Sequence, residues 1–463
     1  MANIKFGTDG WRAILGKDFT DENVKRTTLA IAKYVADTFG MDKKFLIGYD
    51  PRNKADFFAK YCAEILADFG FDVVLSSTIV ATPILAYAAK YYSANAIMFT
   101  ASHNPPEYLG MKFIPDYAGP ATDEITKAIV SNIDADLSEY KFESKELKLD
   151  SFEDVYLNHL KTIIDFEKIK ESKIAVNYDA LHGAASKTFS RLLTEYEIEN
   201  ESINLNPDPN FGGKMPDPKE KFLPELKALC IQNCRIGLSN DGDGDRFGSF
   251  NEKGEFVSAN EIIAILLKHL AVNKHLTGGI VKTVGASSML DEFAQKLNVK
   301  VIETAVGFKW VGKAMRENDV IIGGEESGGL SIKGHIPEKD GILADYLILE
   351  AMAFSGKKLY ELQDEIKMTS GRDFINTRVD LKFDTTEEQE AVIKKFESVN
   401  AISDFKIKDI CTLDGIKFYL SDDNSWILIR KSGTEPLLRI YMESDSNEKI
   451  YKLKDSISKI VKD

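Results

Sequence analysis

Short apolar runs and helical stripes alternate along the first two thirds of the chain. Apolar residues at helical spacing predict a helix over 57–69, and apolar runs at 45–49 and 71–75 predict a strand on each side of it. The same order of strand, helix and strand returns over 173–203 and again over 279–303. Three such units predict three similar α/β domains.

The pattern changes after residue 368. An alternating stretch predicts a strand at 373–381, and Thr385 with Glu388 gives a capping-box signature for a helix over 387–399. Further short strands and a terminal helix follow. Together with a charged linker before residue 150 and a turn near 251–254, the pattern predicts four domains. They are three α/β domains at 1–150, 151–253 and 254–368, and a smaller α+β C-terminal domain at 369–463.

The first twenty residues do not follow this order. They contain Gly7-Thr8-Asp9-Gly10, which is rich in glycine and polar groups. Such a composition is unfavourable for the interior of a strand, so we expect a tight exposed turn there.

Composition narrows the classes of function. The net charge is −14, from 59 basic and 73 acidic residues, which argues against nucleic acid as a partner because phosphate-backbone binding needs a basic surface. No apolar run approaches the roughly 18–20 residues of a membrane span, and the first residues lack the layout of a signal peptide. We expect a cytoplasmic protein that binds neither nucleic acid nor membranes.

The four cysteines are scattered: Cys62, Cys230, Cys234 and Cys411. Cys230 and Cys234 are close in sequence, but no second Cys/His pair accompanies them at a zinc-like spacing. We therefore interpret both as core cysteines near a helix end, in a protein that keeps its thiols reduced.

The loop TASHNPPEYLGMKF at 100–113 carries the first candidate chemistry. It follows an apolar run that predicts a buried strand, and ligands bind beyond the carboxyl ends of strands in open α/β sheets. Ser102, His103 and Lys112 bring a hydroxyl, an imidazole and an ammonium to this loop. Ser102 is a candidate nucleophile if a base or a metal activates it. Taken alone, a Ser-His pair more often reflects ordinary loop chemistry.

A second loop, DGDGDR at 241–246, also follows an apolar strand. Asp241, Asp243 and Asp245 alternate, so their carboxylates can converge on one hard cation such as Mg²⁺, Mn²⁺ or Ca²⁺. Arg246 adds a planar donor suited to phosphate, which a plain acidic turn would not explain. An EF-hand is disfavoured because its sixth position must be glycine, and here it is Arg246. A phosphatase in which Asp241 is the nucleophile stays open.

A third loop, GGEESGG at 323–329, offers Glu325 and Ser327 to the hydroxyls of a sugar. Upstream, Lys309 in TAVGFKW is a candidate phosphate contact. A glycine-rich turn with exposed acids is the plain alternative.

The fourth loop, RKSGTEP at 430–436, has the composition of an anion cradle. It combines Arg430, Ser432, Gly433 and Thr434, with Arg439 just after it. Guanidinium, hydroxyl and backbone N–H donors together suit a dianionic phosphate. The four loops together predict phosphoryl transfer on a small phosphosugar, where catalysis is mostly positioning and charge neutralisation.

These loops, in this order and over essentially the whole chain, resemble those of the α-D-phosphohexomutases, a family that includes phosphoglucomutase, phosphomannomutase and phosphoglucosamine mutase. TASHNP resembles the family's phosphoserine loop, DGDGDR its metal loop, GEESGG its sugar-specificity loop and RKSGTEP its phosphate-binding loop. The opening FGTDGWR matches as well. The resemblance implies three α/β domains with mixed sheets around a central cleft and a fourth, smaller domain.

The resemblance also implies that Ser102 carries a phosphoryl group. Ser102 would give this group to the sugar, forming glucose 1,6-bisphosphate as intermediate and activator, and would then take the other phosphate back. One Mg²⁺ would be held by Ser102 and the three aspartates of the metal loop.

Four further side chains take implied roles around that phosphate. Arg12 and Arg246 would help to neutralise it. Lys112 and His103 are the candidates for general acid and base, and the sequence does not choose between them.

The sugar loop bears on the substrate. GEESGG with TAVGFKW is more similar to the phosphoglucomutase versions, and in bifunctional and glucosamine enzymes the loop tends to end in His where this chain has Gly329. We therefore expect interconversion of α-D-glucose 1-phosphate and glucose 6-phosphate. A phosphomannomutase or bifunctional enzyme is the alternative, followed by a phosphoglucosamine mutase.

Two other classes of function compete with a mutase. A phosphosugar sensor without turnover would not need an intact Ser102, Lys112 and aspartate set. A phosphatase would pass the Ser102 phosphoryl group to water, which closure by the fourth domain disfavours. We expect a small-molecule phosphosugar substrate and a monomer or homodimer.

Overall fold

The structure is a computed structural model that describes residues 4–7, 9–402, 404–432 and 436–462. In this part of the chain four sheets follow one another, each built from one continuous stretch of sequence. The first three sheets mix parallel and antiparallel pairs, and the last is antiparallel throughout. The predicted fold class of three similar α/β domains and a smaller α+β domain is confirmed.

The first sheet has seven strands in the order β1-β2-β6-β5-β3-β4-β7. Alternate residues of its central strand face different cores: Ile97 and Phe99 share a core with the first two helices, and Met98 with the third. The elements are β1 (Phe6–Gly7), β2 (Gly10–Ile14), α1 (Asp21–Phe39), β3 (Lys44–Tyr49), α2 (Ala55–Phe69), β4 (Asp72–Ser76), α3 (Thr82–Tyr91), β5 (Asn95–Phe99), β6 (Tyr108–Ile114), α4 (Asp123–Ser131) and β7 (Lys148–Asp150).

The second sheet has five strands in the order β12-β11-β10-β8-β9. Its elements are α5 (Glu153–Ile163), α6 (Phe166–Ser172), β8 (Val176–Asp179), α7 (Ser186–Glu195), β9 (Asn200–Ile203), α8 (Pro224–Asn233), β10 (Ile236–Asn240), β11 (Phe247–Phe250) and β12 (Phe256–Val257). Two short 3₁₀ turns, Phe211–Gly213 and Glu220–Phe222, lie between β9 and α8.

The third sheet has four strands in the order β14-β13-β15-β16. Its elements are α9 (Ala259–Lys268), a π-helical turn (His269–Asn273), β13 (Gly279–Thr283), α10 (Met289–Lys296), β14 (Val301–Thr304), α11 (Phe308–Glu317), β15 (Val320–Glu325), β16 (Gly329–Ile332), α12 (Gly341–Ser355) and α13 (Leu359–Ser370). Helix α12 is mostly apolar and is buried on all sides over most of its length, because it packs between neighbouring layers.

The fourth sheet has six strands in the order β17-β22-β21-β20-β19-β18. Its elements are β17 (Ile375–Lys382), α14 (Thr386–Glu397), β18 (Ala401–Ile402), β19 (Phe405–Cys411), β20 (Ile416–Leu420), β21 (Trp426–Lys431), β22 (Leu437–Ser444) and α15 (Asn447–Lys462). Thr385 caps α14 as predicted, since its side chain accepts the Glu388 N–H. This sheet packs on its own hydrophobic core, whereas one core is shared between the first three sheets.

The predicted strand–helix–strand units are present in all three α/β segments. They are β3-α2-β4, β8-α7-β9 and β13-α10-β14, and in each unit the two strands are parallel neighbours. The strands β5, β10 and β15 run parallel to the first strand of their unit. The loops after these three strands are therefore the ones expected to hold a ligand.

Two sequence expectations are wrong. The segment before α1 is not only a turn: β2 pairs with β6, and its Trp11 and Ala13 are buried in a strand-like alternation. Gly10 is needed there, because it has φ +88° and an added Cβ would lie 2.7 Å from the Met111 carbonyl oxygen. Cys230 is buried as expected, but Cys234 is exposed at the end of α8 in a left-handed conformation.

None of the helices in the described part of the chain combines the length and apolar character that a membrane crossing requires.

Candidate active site

Ser102 lies just past the end of β5 and is almost fully buried. Its backbone has φ +52°, a left-handed conformation that is uncommon for a side-chain-bearing residue. Its Oγ donates a hydrogen bond of 2.7 Å to Asp241 Oδ2, and His103 Nδ1 lies 3.3 Å from Ser102 Oγ. The structure therefore brings the candidate nucleophile of the first sheet to the metal loop of the second.

The three aspartates of the metal loop are fully buried, and one carboxylate oxygen from each lies within 4.8 Å of the others. The loop is flanked by strands β10 and β11, so the arrangement is not an EF-hand. Within the described part of the chain, Asp243 Oδ1 and Asp245 Oδ1 have no hydrogen-bond partner. Buried carboxylate oxygens without donors fit a divalent cation with oxygen ligands.

Repulsion between the three carboxylates affects the pKa of Asp241. Burial, followed by the charges of Asp243 and Asp245, raises the pKa of Asp241 well above its ordinary value. A cation at the cluster would oppose that shift, since it favours the ionised carboxylates. The donor set is thus chemically suited to a hard metal ion.

Two buried lysines supply positive charge beside the cluster. Lys112 Nζ lies 2.8 Å from Asp9, 2.8 Å from Asp243 and 2.7 Å from Asp245. Lys339 Nζ lies 3.0 Å from Asp9 and 3.1 Å from Asp245. Burial alone would lower the pKa of Lys112, but the carboxylates outweigh it and raise that pKa well above its usual range.

Asp9 and Lys339 were not among the predicted site residues. Asp9 lies in the opening FGTDGWR, where only its position next to Gly10 could have marked it. Lys339 precedes Asp340, whose side chain caps α12, and no local pattern distinguishes it from a surface lysine. Both residues reach the site only through the packing of the first and third segments.

Arg12 and Arg246 lie at the same cluster. Arg12 Nη1 donates to Asn104 Oδ1 at 2.8 Å, which attaches β2 to the Ser102 loop. The backbone N–H of Arg246 donates to Asp241 Oδ1 at 3.1 Å. Its side-chain Nε is buried without a partner in the described part of the chain, so it is a donor that suits an anion.

The charges around His103 affect its imidazole. Burial, followed by the nearby Arg246 and Arg12, lowers the pKa of His103 well below its ordinary value. The ring is therefore neutral, and one of its nitrogens can accept a proton.

The sugar-loop residues Glu325 and Ser327 lie at the end of β15, with Ser327 Oγ donating to Glu325 Oε1 at 2.5 Å. Gly329 begins the next strand, and a Cβ added there would lie 2.5 Å from Lys339 Cδ. The side chain of Lys339 therefore passes over Gly329 on its way to Asp245. Burial raises the pKa of Glu325, and the positive charge of Lys339 offsets only part of that rise.

Lys309 is placed at the start of α11 rather than deep in the site. Its Nζ lies 2.5 Å from Asp123 Oδ1 on α4 of the first segment. In this arrangement Lys309 links the first and third segments.

The fourth loop joins β21 to β22. Arg430 and Arg439 stand directly opposite each other on these strands. Like charges in that position destabilise a sheet unless an anion lies between them. Arg430 Nε donates to Asp414 at 2.7 Å, whereas the buried Nε of Arg439 has no partner among the described residues. The Ser432 N–H donates to the Leu437 carbonyl, and the predicted Gly433 and Thr434 lie outside the described residues.

Few hydrogen bonds attach the fourth segment to the third. Asp414 Oδ2 also accepts the Val306 N–H at 2.8 Å, and Lys417 Nζ donates to the Val284 carbonyl at 2.8 Å. The Ser288 N–H donates to Glu443 at 2.9 Å. Asp414 thus connects the arginine pair to the loop that leads into α11.

Comparison with known protein families also divides the chain into four successive segments. Four models of phosphoglucomutase/phosphomannomutase match in order: alpha/beta/alpha domain I at residues 3–139, domain II at 154–254, domain III at 258–368 and the C-terminal domain at 375–460.

Individual relatives match over nearly their whole length. A phosphoglucomutase/phosphomannomutase of Thermococcus kodakarensis is 31% identical over 96% of this chain and 95% of that protein. A phosphoglucosamine mutase of Methanocaldococcus jannaschii is 32% identical over 99% of this chain and 98% of that protein. A solved structure from Thermus thermophilus, assigned provisionally as a phosphomannomutase, superposes with a TM-score of 0.88, 30% identity and 100% coverage of both chains.

Proposed function

The chain belongs to the phosphoglucomutase/phosphomannomutase family, and from that premise we propose that it interconverts α-D-glucose 1-phosphate and glucose 6-phosphate through a phosphorylated Ser102. Membership makes it a mutase that moves a phosphoryl group within a phosphosugar. The observation that carries the Ser102 role is its hydrogen bond to Asp241, inside a buried carboxylate cluster with unpartnered oxygens.

The proposed reaction has two balanced half-reactions. In the first, the bond between phosphorus and Ser102 Oγ breaks while a sugar hydroxyl oxygen bonds to phosphorus, giving glucose 1,6-bisphosphate. The hydroxyl proton passes to His103, whose neutral ring can accept it, whereas the Lys112 ammonium, held by three carboxylates, can only donate a proton and is the candidate acid. In the second, Ser102 Oγ attacks the other phosphate, and the proton returns to the sugar oxygen that leaves.

The residues of the cluster prepare this transfer. Asp241 orients Ser102 Oγ, while Arg12 and the unpartnered Nε of Arg246 can pair with phosphate oxygens. A Mg²⁺ bound by Asp241, Asp243 and Asp245 would supply charge neutralisation for the phosphate. The remote phosphate would bind between Arg430 and Arg439, so the two ends of the sugar are held on different segments.

Glucose is the proposed sugar because Lys339 fills the space beside Gly329. A Cβ added at Gly329 would lie 2.5 Å from Lys339 Cδ, so this loop has no room for a terminal His unless Lys339 moves. The second candidate is a phosphoglucosamine or phosphomannose mutase, which the names of the relatives favour.

A substrate panel tests the proposal. Glucose, mannose and glucosamine 1-phosphates would be compared by kcat/KM with Mg²⁺ and trace glucose 1,6-bisphosphate. We expect the highest value for glucose 1-phosphate and little activity without the bisphosphate when Ser102 is unphosphorylated. Equal rates on glucose and mannose would make the enzyme bifunctional, and preference for glucosamine would overturn the sugar assignment. Release of phosphate without isomerisation would point to a hydrolase.

A further inference from the structure

Arg52 is a buried arginine that none of the roles above uses. It lies in the turn after β3, and its side chain has no exposed surface. Its Nε donates to Asp50 Oδ2 at 3.2 Å, and its own backbone N–H donates to Asp50 Oδ1 at 2.9 Å. Asp50 thus fixes the direction in which the guanidinium points.

The remaining N–H groups of Arg52 all meet the Ser102 loop. Nη2 donates to the carbonyl oxygens of Ser102 at 2.6 Å and Asn104 at 2.7 Å. Nη1 donates to those of Pro105 at 2.8 Å and Tyr108 at 3.0 Å. A guanidinium has five N–H donors, and every one is used here. The loop itself carries no regular secondary structure between β5 and β6, so these bonds replace a sheet ladder.

The second side of the Ser102 peptide is held through the same carboxylate. The Ser102 N–H donates to Thr100 Oγ1 at 2.8 Å, and Thr100 Oγ1 in turn donates to Asp50 Oδ2 at 2.6 Å. The groups on both sides of the left-handed Ser102 residue are therefore connected to Asp50. This arrangement can maintain a backbone conformation that serine otherwise rarely adopts.

The second segment closes the other face of the guanidinium. The Phe211 ring centroid lies 4.9 Å from the guanidinium carbon of Arg52. A Cβ added at Gly242 would lie 2.7 Å from the Ser102 carbonyl oxygen and 3.3 Å from that ring. Arg52 is thus located where the Ser102 loop and the metal loop pack against each other.

We propose that Arg52 is a positioning residue, which holds the Ser102 loop so that Oγ points at the metal loop during phosphoryl transfer. The proposal rests on the proposed function of Ser102 as phosphoryl carrier. Arg52 does not touch the reacting atoms, so it acts through the carbonyl groups of the loop. A small misplacement of a reacting group is enough to lower a rate by about a hundredfold.

The test compares Arg52→Lys with Arg26→Lys. Lysine keeps the charge but cannot serve four carbonyls in a fork geometry. We expect Arg52→Lys to lower kcat about a hundredfold with KM changed less than about threefold, since the sugar contacts lie elsewhere. Arg26 binds Asp134 in a bidentate pair on the same segment, away from the loop, and its substitution should leave both constants unchanged.

Two further readouts separate positioning from simple structural support. The fraction of Ser102 phosphorylated after incubation with glucose 1,6-bisphosphate should fall in Arg52→Lys, as measured by intact mass. In Arg52→Ala, added guanidinium ion at low millimolar concentration should restore part of kcat. A variant that is only less stable would show a lower Tm without rescue of kcat.

If the Arg52 variants do not fold, Thr100→Val tests the same network from its other side, with an expected loss of about tenfold in kcat. The function proposed for Ser102 and the positioning role proposed for Arg52 are contradicted by different results. If wild-type Ser102 is not phosphorylated, the proposed function is wrong. If it is phosphorylated equally in wild type and Arg52→Lys, and kcat is unchanged, the positioning role is wrong.

Discussion

The site around Ser102 and the arginine pair of the fourth sheet differ in how their charges are balanced. Around Ser102, buried aspartates are paired with buried lysines, and the contacts come from the first three segments. On the fourth sheet, Arg430 and Arg439 face each other, and only Arg430 is paired with a carboxylate among the residues that the structure describes. In the first region several carboxylates have cationic partners within 4 Å, whereas in the described part of the second Arg439 has only Asp380, on the neighbouring strand, as a facing carboxylate, and a bound phosphate would supply further counter-charge.

This difference suggests a division of labour. A site whose dipoles and charges are fixed in advance stabilises a transition state without reorganisation, which suits the position of chemistry. A pair of like charges on a sheet with its own core suits a region that binds and releases a phosphate. We therefore expect changes around Ser102 to affect kcat and changes at the arginine pair to affect KM.

The largest effect is expected for Ser102→Ala. It removes the proposed phosphoryl carrier, so mutase activity should fall by at least about a thousandfold while the fold is retained. Activity with each substrate and circular dichroism check both parts. Ser144→Ala is the matched control, because its hydroxyl is exposed and bonds to Asp68, away from the site. Near-wild-type turnover of Ser102→Ala would contradict the phosphoserine mechanism.

The next effect is expected for Asp243→Asn. This change removes one carboxylate of the cluster and one partner of Lys112, so kcat should fall about a hundredfold or more and the Mg²⁺-dependent rise in Tm should shrink. Thermal melts with and without Mg²⁺, together with a Mg²⁺ titration of activity, measure this. Asp116→Asn, which alters a carboxylate paired with Lys43, is the control. An unchanged response to Mg²⁺ would exclude the cluster as the metal site.

At the arginine pair, Arg439→Ala should change binding instead. Loss of a charged hydrogen bond to phosphate costs roughly 1.5–3 kcal/mol, which corresponds to about a tenfold to hundredfold rise in KM. The Tm without ligand should not fall, because the substitution relieves repulsion with Arg430. Lys408→Ala on β19 is the control, since its ammonium pairs with Asp423 at the surface. If KM stays constant and kcat falls, the arginine pair does not act mainly in substrate binding.

The smallest effect is expected on folding stability, at a histidine that lies outside both regions. His159 is partly buried beside His335, and burial, with smaller contributions from His335 and Lys90, lowers the pKa of His159 from 6.5 to about 4. The unfolded chain therefore takes up a proton as the pH falls below about 6.5, before the folded protein does. Stability should decrease between those two pKa values as the pH falls.

His159→Gln should remove part of this acid sensitivity. The expected difference in unfolding free energy between pH 7 and pH 4 is about 1–2 kcal/mol, reduced from the full shift because the ring is partly exposed. Urea melts at both pH values measure it, and His182→Gln is the control in the second segment. Identical pH profiles for the wild type and His159→Gln would show that another group causes the loss of stability at low pH.

Local patterns in the sequence predicted most of the fold. The helix predicted over 57–69 is present as α2, and the capping pair at Thr385 marks the start of α14. These features depend on neighbours within a few residues, so they can be inferred from spacing. The segment around Gly10 was missed because its strand exists only through pairing with β6, almost a hundred residues away.

The residues of the candidate site also fall into those with a local sequence signal and those without one. Ser102 and the metal-loop aspartates lie in loops of unusual composition directly after apolar strands, and these can be recognised from the sequence. Lys339 and Arg52 have no such local signal. Their importance follows from the burial of a charged side chain among specific partners, which only the tertiary structure determines.

Ser102 is the proposed carrier of the phosphoryl group, and peptide mass spectrometry after incubation with glucose 1,6-bisphosphate would detect that group on it. We predict one phosphoryl group, located on the peptide that contains Ser102 and absent from Ser102→Ala. When excess glucose 1-phosphate is added together with Mg²⁺, a radiolabel on that group should pass to the sugar phosphate, while Ser102 is phosphorylated again from the substrate. A phosphoryl group on Asp241, or none on the protein while isomerisation proceeds, would contradict the account.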